Sequence, residues 1–64
     1  MKGHVGDRLV LEGQHVGEAR RIGTIVAVPH RDGTPPFSVR WLDSERETLV
    51  FPGPDAHLEP PPER

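Results

Sequence analysis

Residues 32–43 read "DGTPPFSVRWLD", and this stretch decides the fold. Asp32-Gly33 is a turn pair, and Pro35-Pro36 stiffens the way into the next run. Phe37, Val39 and Trp41 then alternate with Ser38 and Arg40. A period of two places the three large apolar side chains on one face of a strand and the polar pair on the other. Such a stripe either grips a partner or fills an interior. The chain has one Trp, two Phe and no Tyr. A sequence so short of large side chains needs them inside, so the stripe is read as core.

The same grammar recurs on both sides. In "DRLVLE", residues 7–12, Leu9 and Leu11 share a face with Val5 in phase before them, and Val10 takes the other face. Residues 13–20, "GQHVGEAR", form a polar loop. "RIGTIVAV", residues 21–28, is apolar on both faces. Gly23 within it signals a bend or bulge, which leaves open whether Ile25 or Val26 points inward. After the loop at 29–36 come the third run, 37–42, a short turn "DSER" at 43–46, and a fourth run, "ETLVF", at 47–51. "PGPD" turns the chain into a last short strand at 56–58. Seven glycines and eight prolines punctuate the length, and no window carries three turns of helical apolar spacing.

The expectation is all-β: a small SH3-like five-stranded antiparallel barrel over residues 1–58, with a Pro-rich flexible tail, "EPPPER", at 59–64. Leu9, Leu11, Phe37, Val39, Trp41 and Val50 form the expected core, with Phe51 as the third aromatic available to it. An OB-fold calls for a longer chain and a helix between strands.

Composition bounds the rest. The 64 residues make one small domain, burying only about 60% of the surface its unfolded chain exposes. The absence of cysteine removes disulfides and thiolate metal sites. A net charge of −2 gives no global pull toward nucleic acid or an anionic membrane. No apolar run approaches the ~20 residues of a membrane span, and "MKGHVGDRLVLEG" is too charged for a secretory signal. A cytoplasmic protein with no membrane association is expected.

Taken together, Val5-Gly6-Asp7, Asp32-Gly33, Pro35-Pro36, Val39-Arg40-Trp41, Glu47-Thr48 and Pro52-Gly53 resemble a family of small actinobacterial proteins classed only as a domain of unknown function. The resemblance spans roughly residues 3 to 58 and implies an SH3-type barrel. It implies no catalytic or ligand residues. The chain departs from longer members, which carry a charged helical tail where this one ends in "PPPER". The order of motifs is also similar to Tudor, chromo-type and KOW barrels, which bind peptides, methylated side chains or nucleic acid; at the level of fold this settles nothing about function.

Catalytic chemistry is poorly represented. Ser38 and Ser44 lie outside any nucleophile-elbow context. His4, His15, His30 and His57 follow no ligand spacing, and Asp7 and Asp55 read as turn formers. No catalytic residue, metal site or cofactor is expected. An aromatic cage would need exposed rings that the core already claims. The reading is a non-enzymatic interaction module for an unidentified protein partner. Its contact surface is a rim made by residues 14–20 and 29–36, with Arg20, Arg31 and Arg40 as the partner-binding residues. Interleaved acids, among them Glu47 opposite Arg40, would offset part of that charge. The alternatives are a KOW- or Tudor-like nucleic-acid binder and an accessory subunit stabilised by a larger protein.

Overall fold

The structure is a computed structural model that describes residues 1–12 and 20–61. Five strands follow one another: β1 (Arg8–Leu11), β2 (Arg21–Ala27), β3 (Phe37–Trp41), β4 (Glu47–Val50) and β5 (Ala56–Glu59). They form one antiparallel sheet in the order β4-β3-β2-β1-β5. No helix occurs among the described residues. Every strand lies within a residue or two of the run expected for it. Glu59 is the exception at the domain boundary: it pairs with Arg8 as the last residue of β5, so it belongs to the sheet and not to the tail. Residues 62–64 of that tail lie outside the described residues.

β4 and β5 are the two edges of this sheet, and no ladder joins them among the described residues. Even so, Ala56 and Leu58 from β5 and Val50 from β4 pack against the same buried cluster of Leu9, Ile25, Phe37, Val39 and Trp41. Only a sheet that bends around one of its faces brings both edge strands to a common core.

Register explains the membership. Gly23 stands opposite both Leu9 and Trp41, and Ile25 stands opposite Val39. The irregularity expected at Gly23 instead falls between Ile25 and Ala27. It resolves the phase of β2: Ile25 points inward, Ala27 is exposed, and Val28 comes back onto the core. Gly23 serves close approach. A Cβ there would collide with Cγ1 of Val39 and stand 3.0 Å from Cε3 of Trp41.

Leu11 and Val50 are half-buried against the cluster. Val5 and Phe51 leave it, at 66% and 73% exposed. Gly6, with φ of 100°, breaks the alternation between Val5 and β1. In β4, Thr48 pairs with Val39 and Val50 with Phe37, which puts Leu49 and Phe51 on the outer face. Val10 does lie on the face opposite Leu9, but it is buried there, between Ile22 and His57 in register.

The amino-terminal segment closes one end of the core. Gly3 N donates to Gly33 O at 2.7 Å, Gly6 N to Ile25 O at 2.9 Å, and Ile25 N to Asp7 O at 2.9 Å. A Cβ on Gly3 would lie 3.0 Å from both Ile25 and Phe37, so the segment runs directly over their side chains. At the β3–β4 turn, Trp41 N donates to Arg46 O at 2.9 Å and Glu45 N to Trp41 O at 2.7 Å. Glu45 takes a left-handed φ of 59° to close that turn.

Candidate interaction surface

The arginines divide into paired and unpaired. Arg20 grips Glu12 through Nε and Nη2, each at 3.1 Å to a carboxylate oxygen. Arg40 reaches across the sheet to Glu47 at 2.7 Å, the cross-strand pair expected from the sequence. Arg21 meets Asp43 at 3.3 Å and lays its guanidinium 4.2 Å from the centre of the Trp41 ring. These contacts hold the carboxyls of Glu12 and Asp43 below their ordinary range, in each case chiefly through the arginine hydrogen bond. Arg31 is exposed and has no carboxylate partner among the described residues.

Arg20, Arg31 and Arg40 do not form one patch. Arg20 sits just before β2, and Arg31 lies four residues past its end. A strand of seven residues spans about 20 Å, so the two stand at opposite ends of the sheet. The expected rim fails for the same reason. Successive connections of an antiparallel meander alternate between ends, so Glu12 and Arg20 flank one end while residues 29–36 occupy the other. Residues 14–19, the remainder of that rim, lie outside the described residues.

What the structure does bring together is a cleft of about 280 Å³ where the amino-terminal segment meets the β2–β3 loop. Lys2, His4, His30 and Arg31 supply its polar wall, and Val5 and Val28 part of its apolar lining. Asp32 is the one acid among its lining residues. Its carboxylate is occupied, accepting from Thr34 N at 3.1 Å and Thr34 Oγ1 at 2.6 Å, and those bonds hold it below its ordinary range. His4 is tied to Asp7, its backbone N donating to the carboxylate at 3.0 Å. Lys2, like Arg31, has no carboxylate partner among the described residues. Arg8 and Arg46 lack one too, but neither lines the cleft. Sequence reasoning missed Lys2. It is the chain's single lysine, 29 positions from Arg31 in sequence, and only the Gly3–Gly33 hydrogen bond brings the two segments side by side.

Trp41 is interior, at 4% exposed. Its Nε1 donates to Thr48 Oγ1 at 2.7 Å, and Arg21 covers the ring. It offers no platform for stacking. His57 stands between two acids, 3.1 Å from Glu59 and 3.7 Å from Glu12. No group of three or more potential metal ligands occurs among the described residues; His15 lies outside them.

The lowered carboxyls make a prediction. Glu12, Asp32 and Asp43 have folded pKa values below their ordinary 4.5, 3.8 and 3.8. A depressed carboxyl adds stability above its unfolded pKa and loses it as pH falls through the folded one. The stability these three carboxyls supply is therefore fully present above their ordinary values and is lost as pH falls below about 4. Thermal melts between pH 7 and 2 read this. Asp43→Asn flattens the acid limb.

Fold and surface together define a small all-β domain with a basic cleft at one end of its sheet. Residues 1–58 match the family described as Domain of unknown function (DUF1918), and the chain belongs to that family. It is 45% identical over 56 residues to the uncharacterized protein Rv0569 of Mycobacterium tuberculosis strain H37Rv, a match covering 88% of this chain and 64% of that protein. It is 43% identical over 56 residues to the uncharacterized protein Rv2302 of the same strain, covering 88% of this chain and 70% of that protein. The chain thus spans less than two thirds of the first of these relatives. The solution structure of the conserved hypothetical protein Rv2302 matches with a TM-score of 0.64 at 41% identity, covering 94% of this chain and 75% of that one. The function of the family is unknown, and both relatives are uncharacterized. No described helix is long and apolar enough to cross a membrane.

Proposed function

We propose that the domain is a non-enzymatic interaction module, acting in the cytoplasm, that binds an acidic segment of a protein partner in the cleft between its amino-terminal segment and its β2–β3 loop. One observation carries the reading. Arg20, Arg21 and Arg40 are each neutralised by a carboxylate of the chain itself, whereas Lys2 and Arg31 line a recess with no acid assigned to them. Two unpaired cations beside apolar Val5 and Val28 suit a ligand that carries both a carboxylate and an aliphatic group. The net charge of −2 favours a protein ligand over nucleic acid. Binding also suits the cleft better than catalysis, because Ser38 lies in β3 and Ser44 in the β3–β4 turn, both outside its lining.

The test is a pull-down from native lysate with the wild-type domain, the double variant Lys2→Glu/Arg31→Glu, and the control Arg20→Glu/Arg40→Glu. The expected result is a partner enriched by wild type and control and lost at least tenfold by the first double variant, with amide spectra showing all three folded. A partner indifferent to Lys2 and Arg31 overturns the reading. So does capture that disappears on nuclease treatment, which would assign the surface to nucleic acid.

A further inference from the structure

We infer that the cleft reads the carboxyl-terminal residue of its protein partner, an α-carboxylate joined to an aliphatic side chain. The inference rests on the binding reading above and narrows its ligand. It starts from two backbone hydrogen bonds that give the cleft two unlike ends. Gly3 N donates to Gly33 O, and Gly6 N to Ile25 O. As the amino-terminal segment runs from Gly3 to Gly6, its partners run back from Gly33 to Ile25, so the two walls are antiparallel. At one end lies Lys2: a Cβ on Gly33 would stand 3.4 Å from its Cβ. Arg31 belongs to this end too, in the turn that Gly33 N closes on His30 O at 3.0 Å. At the other end are Val5, next to Gly6, and Val28, three residues past Ile25. All four line the cleft. Each wall thus presents one cation and one valine, with the cations gathered at one end and the valines at the other.

Charge and size together select the occupant. Lys2 and Arg31 have no carboxylate partner among the described residues, so the ligand brings an anion to that end. The valines call for an apolar group at the other. The volume, about 280 Å³, falls under the ~300 Å³ at which small-molecule sites begin. Anion and apolar group therefore belong to one small unit and not to a length of chain. Aspartate and glutamate carry a carboxylate without an aliphatic end. Valine, leucine and isoleucine inside a chain carry the aliphatic group without a carboxylate. Only at a carboxyl terminus does a single residue carry both, and capture of that terminus is a recurring mode of peptide recognition.

Other small anions match less well. Phosphate is commonly cradled by backbone N–H groups, and three of those in this lining are spent: Gly3 on Gly33, Gly33 on His30, and His4 on the Asp7 carboxylate. A free amino acid places an ammonium beside its carboxylate, where it would face Lys2 and Arg31. The acid of the lining, Asp32, is engaged by Thr34. In a polypeptide the same nitrogen is a neutral amide.

Chemical-shift titration of the isotope-labelled full chain tests this with four N-acetylated peptides and with free valine. The first peptide is Gly-Ser-Gly-Val with a free carboxyl end, and the second is its amide. The third is Gly-Ser-Gly-Gly with a free carboxyl end. The fourth, Gly-Ser-Val-Asp-Gly amide, sets a side-chain carboxylate beside a valine inside the chain. The first should shift the amides of residues 2–5 and 30–33, and bind at least tenfold tighter than the other three and than free valine. Lys2→Gln/Arg31→Gln should weaken it to the level of its own amide. Val5→Ser, at an exposed position, should weaken it to the level of the glycine-ended peptide. If the internal-aspartate peptide binds as tightly as the first, the inference is overturned and the acidic-segment reading stands. Equal binding by free valine overturns it in favour of an amino-acid site. Silence from all five overturns the inference and the acidic-segment reading together.

Discussion

Phe37→Ala removes much of the domain's stability. Phe37 is the largest side chain that is fully buried. Removing a buried phenyl ring costs about 3–5 kcal/mol, the lost transfer energy plus the cavity left behind. A domain of this length has roughly 3–10 kcal/mol in total, from ~0.05–0.15 kcal/mol per residue. The site also has little scope to collapse, because Gly3 lies over the ring with no side chain to fill the hole. Trp41 reports the outcome. In the wild type its emission is blue-shifted and poorly quenched by iodide, as an indole at 4% exposure requires. In Phe37→Ala the red shift and the collapse of the amide spectrum come at a far lower temperature than in the wild type. Phe37→Leu keeps most of the volume and remains folded, with a lower melting temperature. A cooperative melt of Phe37→Ala within a few degrees of wild type would mean the core is not built as described.

Gly23→Ala has the second-largest effect, although it adds a single methyl group. The new Cβ would collide with Val39 Cγ1, meet Trp41 Cε3 at 3.0 Å and sit 3.1 Å from the Arg40 carbonyl oxygen. The first two are ends of core side chains already enclosed, and the third is backbone held in the β2–β3 ladder. Relief requires moving β3 away from β2, which opens the core between these two strands. Overpacking of this kind costs about 1–3 kcal/mol, and more where backbone must shift. Gly53→Ala is the matched control, with nothing within 4 Å of the added carbon, and leaves stability nearly unchanged. Chemical denaturation separates the two. Equal midpoints would show that Gly23 is dispensable and that the contact between β2 and β3 is looser than the geometry requires.

Most of the strand plan is legible in the sequence because it rests on local signals. Phe37, Val39 and Trp41 alternate without interruption, and Asp32-Gly33 and Pro52-Gly53 mark turns by their chemistry. Leu9 and Leu11 bracket a residue whose opposite orientation follows from period two. Where the structure departs from the sequence pattern, the cause is a break in that period or a fact of three dimensions. Val5 is in phase with Leu9 only until the positive φ of Gly6 resets the count. Gly23 is a correct sign of something unusual but of the wrong kind: the bulge sits beside Val26, and Gly23 is small because Val39 and Trp41 press on it. Size alone claims Phe51 for the core, while the parity of β4 places it with Leu49 outside. The candidate surface is the least legible part. Arg31 stands out as a loop cation, but grouping it with Arg20 and Arg40 needs distances that a one-dimensional string does not hold. Lys2 joins it only through the bond between Gly3 and Gly33.

The amino-terminal segment has two sides, and this ties recognition to folding. Its inner side is Gly3, laid on Ile25 and Phe37; its outer side supplies Lys2, His4 and Val5 to the cleft. A ligand cannot seat there without the strap in place, so the ligand-bound state and the sealed interior are one thermodynamic state. Saturation at a hundredfold excess over Kd adds about 2.7 kcal/mol, and each kcal/mol moves the midpoint of a domain this small by about 4–8 °C. Heat therefore serves as an assay of the proposed binding: an acidic peptide that seats in the cleft should raise the melting temperature, and one that does not should leave it unchanged.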